Sequence, residues 1–589
     1  MDDMYSRRRF LASTAVVGAV ALSPAALSQP VAPDLSGGVT VGAAGYDTGR
    51  LQRQLDNAAL QDRGSVTLAQ GTYVVDDTIR IPHNVSVRSD GATFIVADFA
   101  NWRGATTYTA RDENGNVQPY VAAVLIETSP RYPNPAFATT GRGRVEIEEK
   151  GWRRTIEVFV AGTGNRNRLT AGVVITAATG TGPQAFSLRH AQAPARGLQM
   201  SYLDIHTMGF DKGMVLREAW MSTFRYSSRG CRIGLSVEGK TVGAIFEDIY
   251  LFEPQNAPVD FLQHTSFSAL DTEFQLAEWF RTQRQRPRPK TWGVVIDSGF
   301  HYEEERDAAG RAVAGSSQGR PEGLVFRGGT IFGYDTAVRA HRALWVLFDG
   351  VNFDGSVDHT ITVMSVHSLM IQNCYIGNSG IDTASVFFYR SPGVHVSHTL
   401  SSNHFSTVHG VRTVGVRAEG HGNIRVVDNE FVGPFQHGVH FNYVVRSIVR
   451  GNTGRYLTNA LISLGSGCEG TVVDQNFQED QHPVVRMLPS TSHEVEVGAN
   501  RSAVQRTGGA GSIRVAAGQS RATLPSGLLF APGVLVASIV TVASVTPDPG
   551  GWRVVQNDNS FDGTLIFNTP LRSSVVVHFT ARAVPFSAV

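Results

Sequence analysis

Short apolar runs recur along residues 325–497. Each is followed by Asn, Gly or Asp at a bend, then by an aromatic residue or a second apolar run. Six such lines are VFRGGTIFGYD, VLFDGVNFDGS, LMIQNCYIGNS, HVSHTLSSNHFST, IRVVDNEFVGP and TVVDQNFQED. With Phe332, Phe353, Tyr375, Phe405 and Phe431 as register marks, the steps are 21, 22, 30 and 26 residues. A weaker coil passes through Arg450, Gly451 and Asn452, and Phe477 marks the next. A recurrent period of this length, built from strands, predicts a solenoid. No stretch sustains apolar residues at spacings of three and four, which disfavours helical repeats. The pattern predicts an all-β chain whose main body is a right-handed, single-stranded parallel β-helix.

Upstream, Asp47–Thr48 opens a helical pattern with Leu51, Leu55 and Ala58–Ala59 on one face. Strand-like segments Gly64–Tyr73, Ile79–Pro82 and Val85–Ala92 follow, turning at Gly71, Pro82 and Gly91. A solenoid needs a cap of this kind, here about residues 45–96, because its end coil otherwise exposes apolar core and free strand edges. Asp47-Thr48, the helix, Gly71-Thr72-Tyr73 and Ser89-Asp90-Gly91-Ala92 resemble the N-terminal segment of the pectate-lyase-like superfamily. That group includes phage tailspike depolymerases, polygalacturonase-like hydrolases and polysaccharide lyases. The resemblance is specific over the cap and extends as a pattern to about residue 500. It implies a right-handed β-helix that handles carbohydrate, and it carries over no catalytic residue.

The β-helix is expected over 29–505, with two departures from its rhythm. Residues 100–198 read as an insertion or side sheet with strands at Val121–Ile126, Arg144–Glu148, Thr155–Val160 and Gly172–Ile175. Coils resume at Leu203–Ile205, Phe224–Tyr226 and Ile249–Leu251, with Gly213–Leu216 and Gly234–Val237 at equivalent places. Residues 253–323 interrupt them again. There a helical pattern over Asp271–Arg281 precedes a basic run to Lys290, a strand over Trp292–Ile296 and a polar loop over 306–321. Long loops in a compact solenoid gather where ligands bind. Thr507–Gly511 reads as a linker. Strand patterns over Ser512–Val515, Val534–Val542, Trp552–Gln556, Thr564–Phe567 and Ser574–Ala581 predict a small C-terminal antiparallel β-sandwich at 512–589. It resembles the β-domains that follow β-helices in some phage tail proteins, which implies carbohydrate contact or a homotrimer.

Arg7-Arg8-Arg9-Phe10-Leu11, the apolar run Ala12–Leu22 and the small residues before Gln29 form an export-signal pattern over 1–28. The paired arginines resemble a twin-arginine signal. The run is too short for a stable membrane span, so a periplasmic or secreted protein is expected. Only 17% of the 589 residues are charged and the formal net charge is +1, which gives no electrostatic reason for a nucleic-acid or anionic-membrane partner. Cys231, Cys374 and Cys468 read as buried fillers, not a disulfide scaffold.

The expected partner is therefore a polysaccharide. Glycoside hydrolysis needs two carboxyl groups, about 5–5.5 Å apart for retention or 6.5–9.5 Å for inversion. The candidates beside the interruption are Asp297, Glu303, Glu304, Asp335 and Asp354. Asp335 and Asp354 also read as turn residues beside Gly333 and Gly355, and Glu303–Glu305 as a solvated charge run. A lyase needs a base and a cation beside a uronate, types supplied by His301, Tyr302, Arg339 and His341–Arg342. Trp279, Trp292, Tyr302 and Tyr334, with Arg339, are candidates to contact sugar. The scattered histidines over 395–440 lack metal-ligand spacing, and Asp428–Glu430 reads as a bend. Gly315–Gly319 matches GxSxG inside a polar loop without the strand–turn–helix that motif needs. No phosphate-binding loop occurs, so neither a cofactor nor a metal is expected. These residues predict a polysaccharide-cleaving protein, hydrolase ahead of lyase. A non-catalytic carbohydrate-binding or adhesion protein and a polymer uronate epimerase are the alternatives.

Overall fold

The computed structural model describes residues 45–585 except 62–63, 112–115, 129–152, 164–166, 178–199, 218, 221, 240, 254–288, 298–319, 378, 390–395, 408–411, 488–494, 503–507, 525–535, 547–550 and 557–562. The chain forms two compact units. One contains the described residues up to Gly293 with Phe332–Tyr334; the other contains those of 294–299, 304–331 and 335–589.

The first unit opens on a helix, Thr48–Ala59, with Leu51, Leu55 and Ala58 buried. The Asp47 side chain does not cap it but accepts the Val74 N–H at 3.2 Å. Thr48 Oγ1 donates to Asp76 Oδ1 at 2.8 Å and accepts the Asp76 N–H at 3.0 Å. The Asp47-Thr48 pair thus joins the helix to the strand Gly71–Val75 and its following turn. That strand runs parallel to Thr93–Ala97, and Gly64–Leu68 runs parallel to Val85–Ser89. Arg153–Gly162, Met200–Met208, Ser222–Arg229 and Ile245–Phe252 continue as parallel neighbours. A second parallel series passes from Ile79–Ile81 through Val117–Thr128, Asn167–Ala177, Phe210–Leu216 and Ile233–Val237.

Two sequence expectations change here. The strands within 100–198 are coil strands in parallel register with their neighbours; only Tyr108–Arg111, antiparallel to Val117–Thr128, stands aside as a side element. The strand expected at Arg144–Glu148 lies outside the described residues. The partner of Phe224 is Phe246, with rings stacked at 4.9 Å, because an irregularity between Arg225 and Ser227 slips the register that Ile249 suggested. Asp248, with φ of +52°, sits in that irregularity.

In the second unit each coil carries three strands. One parallel series runs Trp345–Asp349, Ser368–Gln372, Ser397–Ser401, Ile424–Val427, Ile448–Arg450 and Val472–Asp474. Another runs Asn352–Asp354, Tyr375–Gly377, His404–Ser406, Glu430–Val432, Thr453–Arg455 and Phe477–Gln478. The third runs Thr336–His341, Ile361–Met364, Ala384–Phe388, Val414–Glu419, His437–Asn442, Ile462–Leu464 and Val485–Met487. This is a parallel β-helix, and its core fills from inward positions such as Phe353, Ile376, Phe405 and Phe431, all fully buried.

Two of the aromatic marks are one residue out of register. Phe353 pairs with Ile376, so Tyr375 turns outward and its ring stacks on His404 at 5.6 Å. Gly454 pairs with Gln478, so Gln478 is buried and Phe477 is exposed. A slip of one residue exchanges the two faces of a strand. The three cysteines are free and buried.

Six antiparallel strands close the described chain in two three-stranded sheets: Gly508–Val515, Val575–Pro585 and Val536–Thr546; Arg521–Leu524, Gly563–Phe567 and Trp552–Gln556. Val515, Leu524, Leu565, Val577 and Phe579 are among the buried residues of their common core. Gly508–Gly511, expected as a linker, pair with Phe579–Arg582 as strand.

Candidate functional site

Along the third strand series of the second unit, one row is in register for seven coils: Arg339, Thr362, Phe387, Arg417, His440, Ser463 and Arg486. Val338 and Ala340 on either side of Arg339 are buried, as are Val416 and Ala418 around Arg417. Alternation along the strands therefore turns this row outward.

At the Arg339 end lies Asp297, the last residue of the strand Trp292–Asp297. Its Oδ2 is 3.6 Å from Arg339 Nη2 and 3.8 Å from His341 Nδ1. Arg339 Nε donates to His341 Nδ1 at 3.3 Å, which assigns the ring proton to Nε2. Nε2 is buried and has no hydrogen-bond partner among the described residues. Burial, with Arg339 and Arg342 adding to it, pushes the imidazole down to about 3. His341 is thus neutral near pH 7, with its N–H enclosed beside the Asp297–Arg339 pair. Arg339 and His341 are two residues apart on one strand, so both face the same side.

Further along, Phe387 is 4.8 Å from the His359 ring and 4.1 Å from Tyr389. The Arg417 guanidinium lies 5.3 Å over Phe387, and Arg417 Nε donates to Glu419 Oε1 at 2.8 Å. His359 Nδ1 accepts the Ala384 N–H at 2.9 Å. Burial pushes His437 down to about 4 and lowers His440; the two rings stack at 5.8 Å. The row combines one carboxylate–cation–imidazole set with an aromatic and cationic track.

The second strand series carries a separate outward group. His404 Nδ1 lies 2.8 Å from Glu430 Oε2, and Arg455 Nε lies 3.6 Å from Glu430 Oε1 and 3.0 Å from Glu479 Oε1.

Of the residues singled out from sequence, Asp297 and Arg339 come together. Asp335 is buried at the bend before Thr336, where its carbonyl accepts the Asp358 N–H at 2.7 Å. Asp354 belongs to the second strand series and accepts the Gly355 N–H at 2.7 Å, the turn role its neighbour suggested. Neither stands beside Asp297 on the outward row. Tyr334 is 1% and Trp292 8% exposed, so neither offers a ring face to a sugar; the Arg232 guanidinium already lies 5.6 Å over Trp292. Trp279, His301, Tyr302, Glu303 and Glu304 lie outside the described residues.

Sequence reading missed Phe387, Tyr389, Arg417, Glu419 and His440. Their signal was present in Val-Arg-Ala-Glu and Val-His-Phe-Asn, where polar side chains alternate with apolar ones inside a buried-looking run. Among the described residues no group of three His, Cys, Asp or Glu side chains could hold a metal ion, and no helix is long and apolar enough to cross a membrane.

No family model and no curated protein matches the chain. Among solved structures it is similar to the mannuronan C-5 epimerase AlgE6 A-module of Azotobacter vinelandii, at 12% identity and a TM-score of 0.37, covering 77% of this chain and 95% of that one. It is also similar to a tailspike protein of E. coli bacteriophage HK620 in complex with pentasaccharide, at 9% identity and a TM-score of 0.43, covering 92% and 91%. A third is PfbA, a surface adhesin of Streptococcus pneumoniae, at 9% identity and a TM-score of 0.32, covering 90% and 98%.

Proposed function

We propose that the protein binds an extended acidic polysaccharide along the Arg339–Arg486 row and cleaves it at Asp297 and Arg339, with His341 positioning Arg339. The observation that carries this reading is the unbroken register of the seven-residue row, in which Arg339, Arg417, His440 and Arg486 reach the surface between the buried Thr362, Phe387 and Ser463. Neighbouring strands repeat about every 4.8 Å, so the row spans roughly 29 Å, the length of several sugar rings. Arg339, Arg417 and Arg486 along that track favour a uronate-containing polymer. Tyr389, 38% exposed and packed against the buried Phe387, adds a ring face for sugars.

The chemistry that fits is β-elimination. Asp297 takes the proton from the carbon next to the uronate carboxylate, and Arg339 holds that carboxylate and the charge that develops on it. The electrons of the broken C–H bond form a C=C double bond as the bond to the neighbouring glycosidic oxygen breaks, and the departing oxygen takes its proton from water while Asp297 returns its proton to the hydroxide left behind. This moves the preference away from hydrolysis, because Asp335 and Asp354 lie apart from Asp297 and do not supply its second carboxyl. The twin-arginine-like segment at Arg7–Leu11 supports export, so that the polymer is met outside the cytoplasm.

The test is incubation of the purified protein with polygalacturonate, alginate and neutral glucans, following reducing ends and the unsaturated-product absorbance together. Both signals rising on a uronate polymer support elimination. Reducing ends alone mean hydrolysis and redirect the search to Glu303 and Glu304. Binding without either signal leaves a non-catalytic carbohydrate-binding protein.

A further inference from the structure

The corner that follows the third strand series is built from residues with positive φ. Arg342, Ser365 and Gly420, each just past its strand, have φ of +56°, +55° and +60°. The next coil places Tyr443 there, with φ of +53°. Its N–H donates to Ser466 O at 2.7 Å, as the Gly420 N–H donates to Asn442 O at 3.0 Å. The left-handed region is a genuine outlier for a bulky side chain, whereas glycine adopts it freely. Burial does not offset the strain, because Tyr443 is 59% exposed.

The ring nevertheless has a prepared seat. It lies over Gly467 of the next coil, where an added Cβ would overlap it, and Gly467 itself has φ of +66°. Tyr443 directly follows Asn442, which is in register with Glu419, the acceptor of Arg417. Tyr389, 38% exposed and also at the end of its strand, lies two coils away along the same rim. A strained, exposed aromatic seated against a glycine beside a polymer-binding row points to function.

We propose that Tyr443 is a stacking platform for a pyranose ring of the bound polysaccharide, extending the contacts of Tyr389 along the rim. This rests on the reading of that face as polymer-binding. Tyr443→Gly and Tyr443→Asn remove the ring while suiting the left-handed backbone; Tyr443→Phe keeps it. Affinity electrophoresis of the full chain in gels containing polygalacturonate, alginate or a neutral glucan measures binding, and thermal unfolding and sedimentation accompany it.

The expected result is a loss of about three- to tenfold in affinity for the Gly and Asn variants, from the size of a typical ring–ring contact. Their melting temperatures stay unchanged or rise, and the Phe variant binds like the parent. If the Gly and Asn variants bind as the parent does while Arg417→Ala binds more weakly, the platform is overturned and the polymer face stands. If the parent is retarded by none of the gels, both fall. A lowered melting temperature, or a change in sedimentation, overturns the platform by making Tyr443 a packing residue or a contact between copies of the chain.

Discussion

Asn403 donates its side-chain amide to Asn429 Oδ1 at 2.9 Å, and the same oxygen receives the Asn403 backbone N–H at 3.0 Å. The relationship repeats from Asn429 to Asn452, Asn452 to Asn476 and Asn476 to Asn500, with every member buried. Each rung follows a residue with positive φ: Ser402, Asp428, Gly451 and Gln475. The bend points main-chain N–H and C=O groups into a corner that water does not reach, and such groups need partners. The amides supply them, so the ladder fixes where each coil turns.

Asn429→Ala should therefore be among the most damaging single changes in the coils. It removes an acceptor for Asn403 and the amide whose two N–H groups serve Asn452 Oδ1 at 3.0 Å and Leu400 O at 2.9 Å. Buried polar groups left unmade cost about 1–3 kcal/mol each, so a loss of about 3 kcal/mol or more is expected. Urea unfolding measures it; a loss under about 1 kcal/mol would mean the ladder is incidental.

Register gives a sharper contrast. Ile376→Ala, at a fully buried inward position, should cost about 2–5 kcal/mol. Tyr375→Ala, facing outward against His404, should cost about 1 kcal/mol. The order reverses if Tyr375 is the core residue of its coil.

That contrast marks the boundary of what was legible. The coils, the capping helix and the C-terminal sheets follow from apolar spacing and turn residues, which local sequence carries directly. Face is harder, because Cys-Tyr-Ile offers apolar residues at adjacent positions, and in Asn-Phe-Gln the polar Gln478 is buried while Phe477 is exposed. Asp297 and Arg339 were legible as a charge type beside an interruption. Arg417 and His440 join them only through register across about a hundred residues, which no single strand reveals. Trp292 and Tyr334 misled because an aromatic near a loop reads the same whether it covers a core or a ligand.

Acid should destabilise the fold through its buried imidazoles. His398 is fully buried against Phe388 and His421, and both ring nitrogens have no hydrogen-bond partner among the described residues. Burial, with His421 adding to it, pushes it down to about 3. The unfolded chain takes up this proton near pH 6.5, while the folded one does not until about pH 3. The unfolded state binds more protons throughout that window, so stability falls with pH by about 1.4 kcal/mol per unit for each such histidine. His421 and His437 shift in the same direction. His398→Phe should lower the pH slope of urea-unfolding stability between pH 6 and 4 by about one proton; an unaltered slope rules out His398 as a source.

Asp297→Asn separates chemistry from binding. The amide keeps the volume beside Arg339 and His341 but accepts no proton at pH 7. Removing a positioned base typically lowers turnover by about 10²–10⁴-fold. Arg417 contacts the polymer away from the bond that breaks, so Arg417→Ala should raise KM and leave kcat within about twofold, the mark of binding shared by ground and transition states. Initial rates on the uronate polymer that the protein cleaves give both constants. A fall in kcat for Arg417→Ala equal to that for Asp297→Asn would place the reacting bond at Phe387–Arg417 and move the catalytic centre three coils along the row from Arg339.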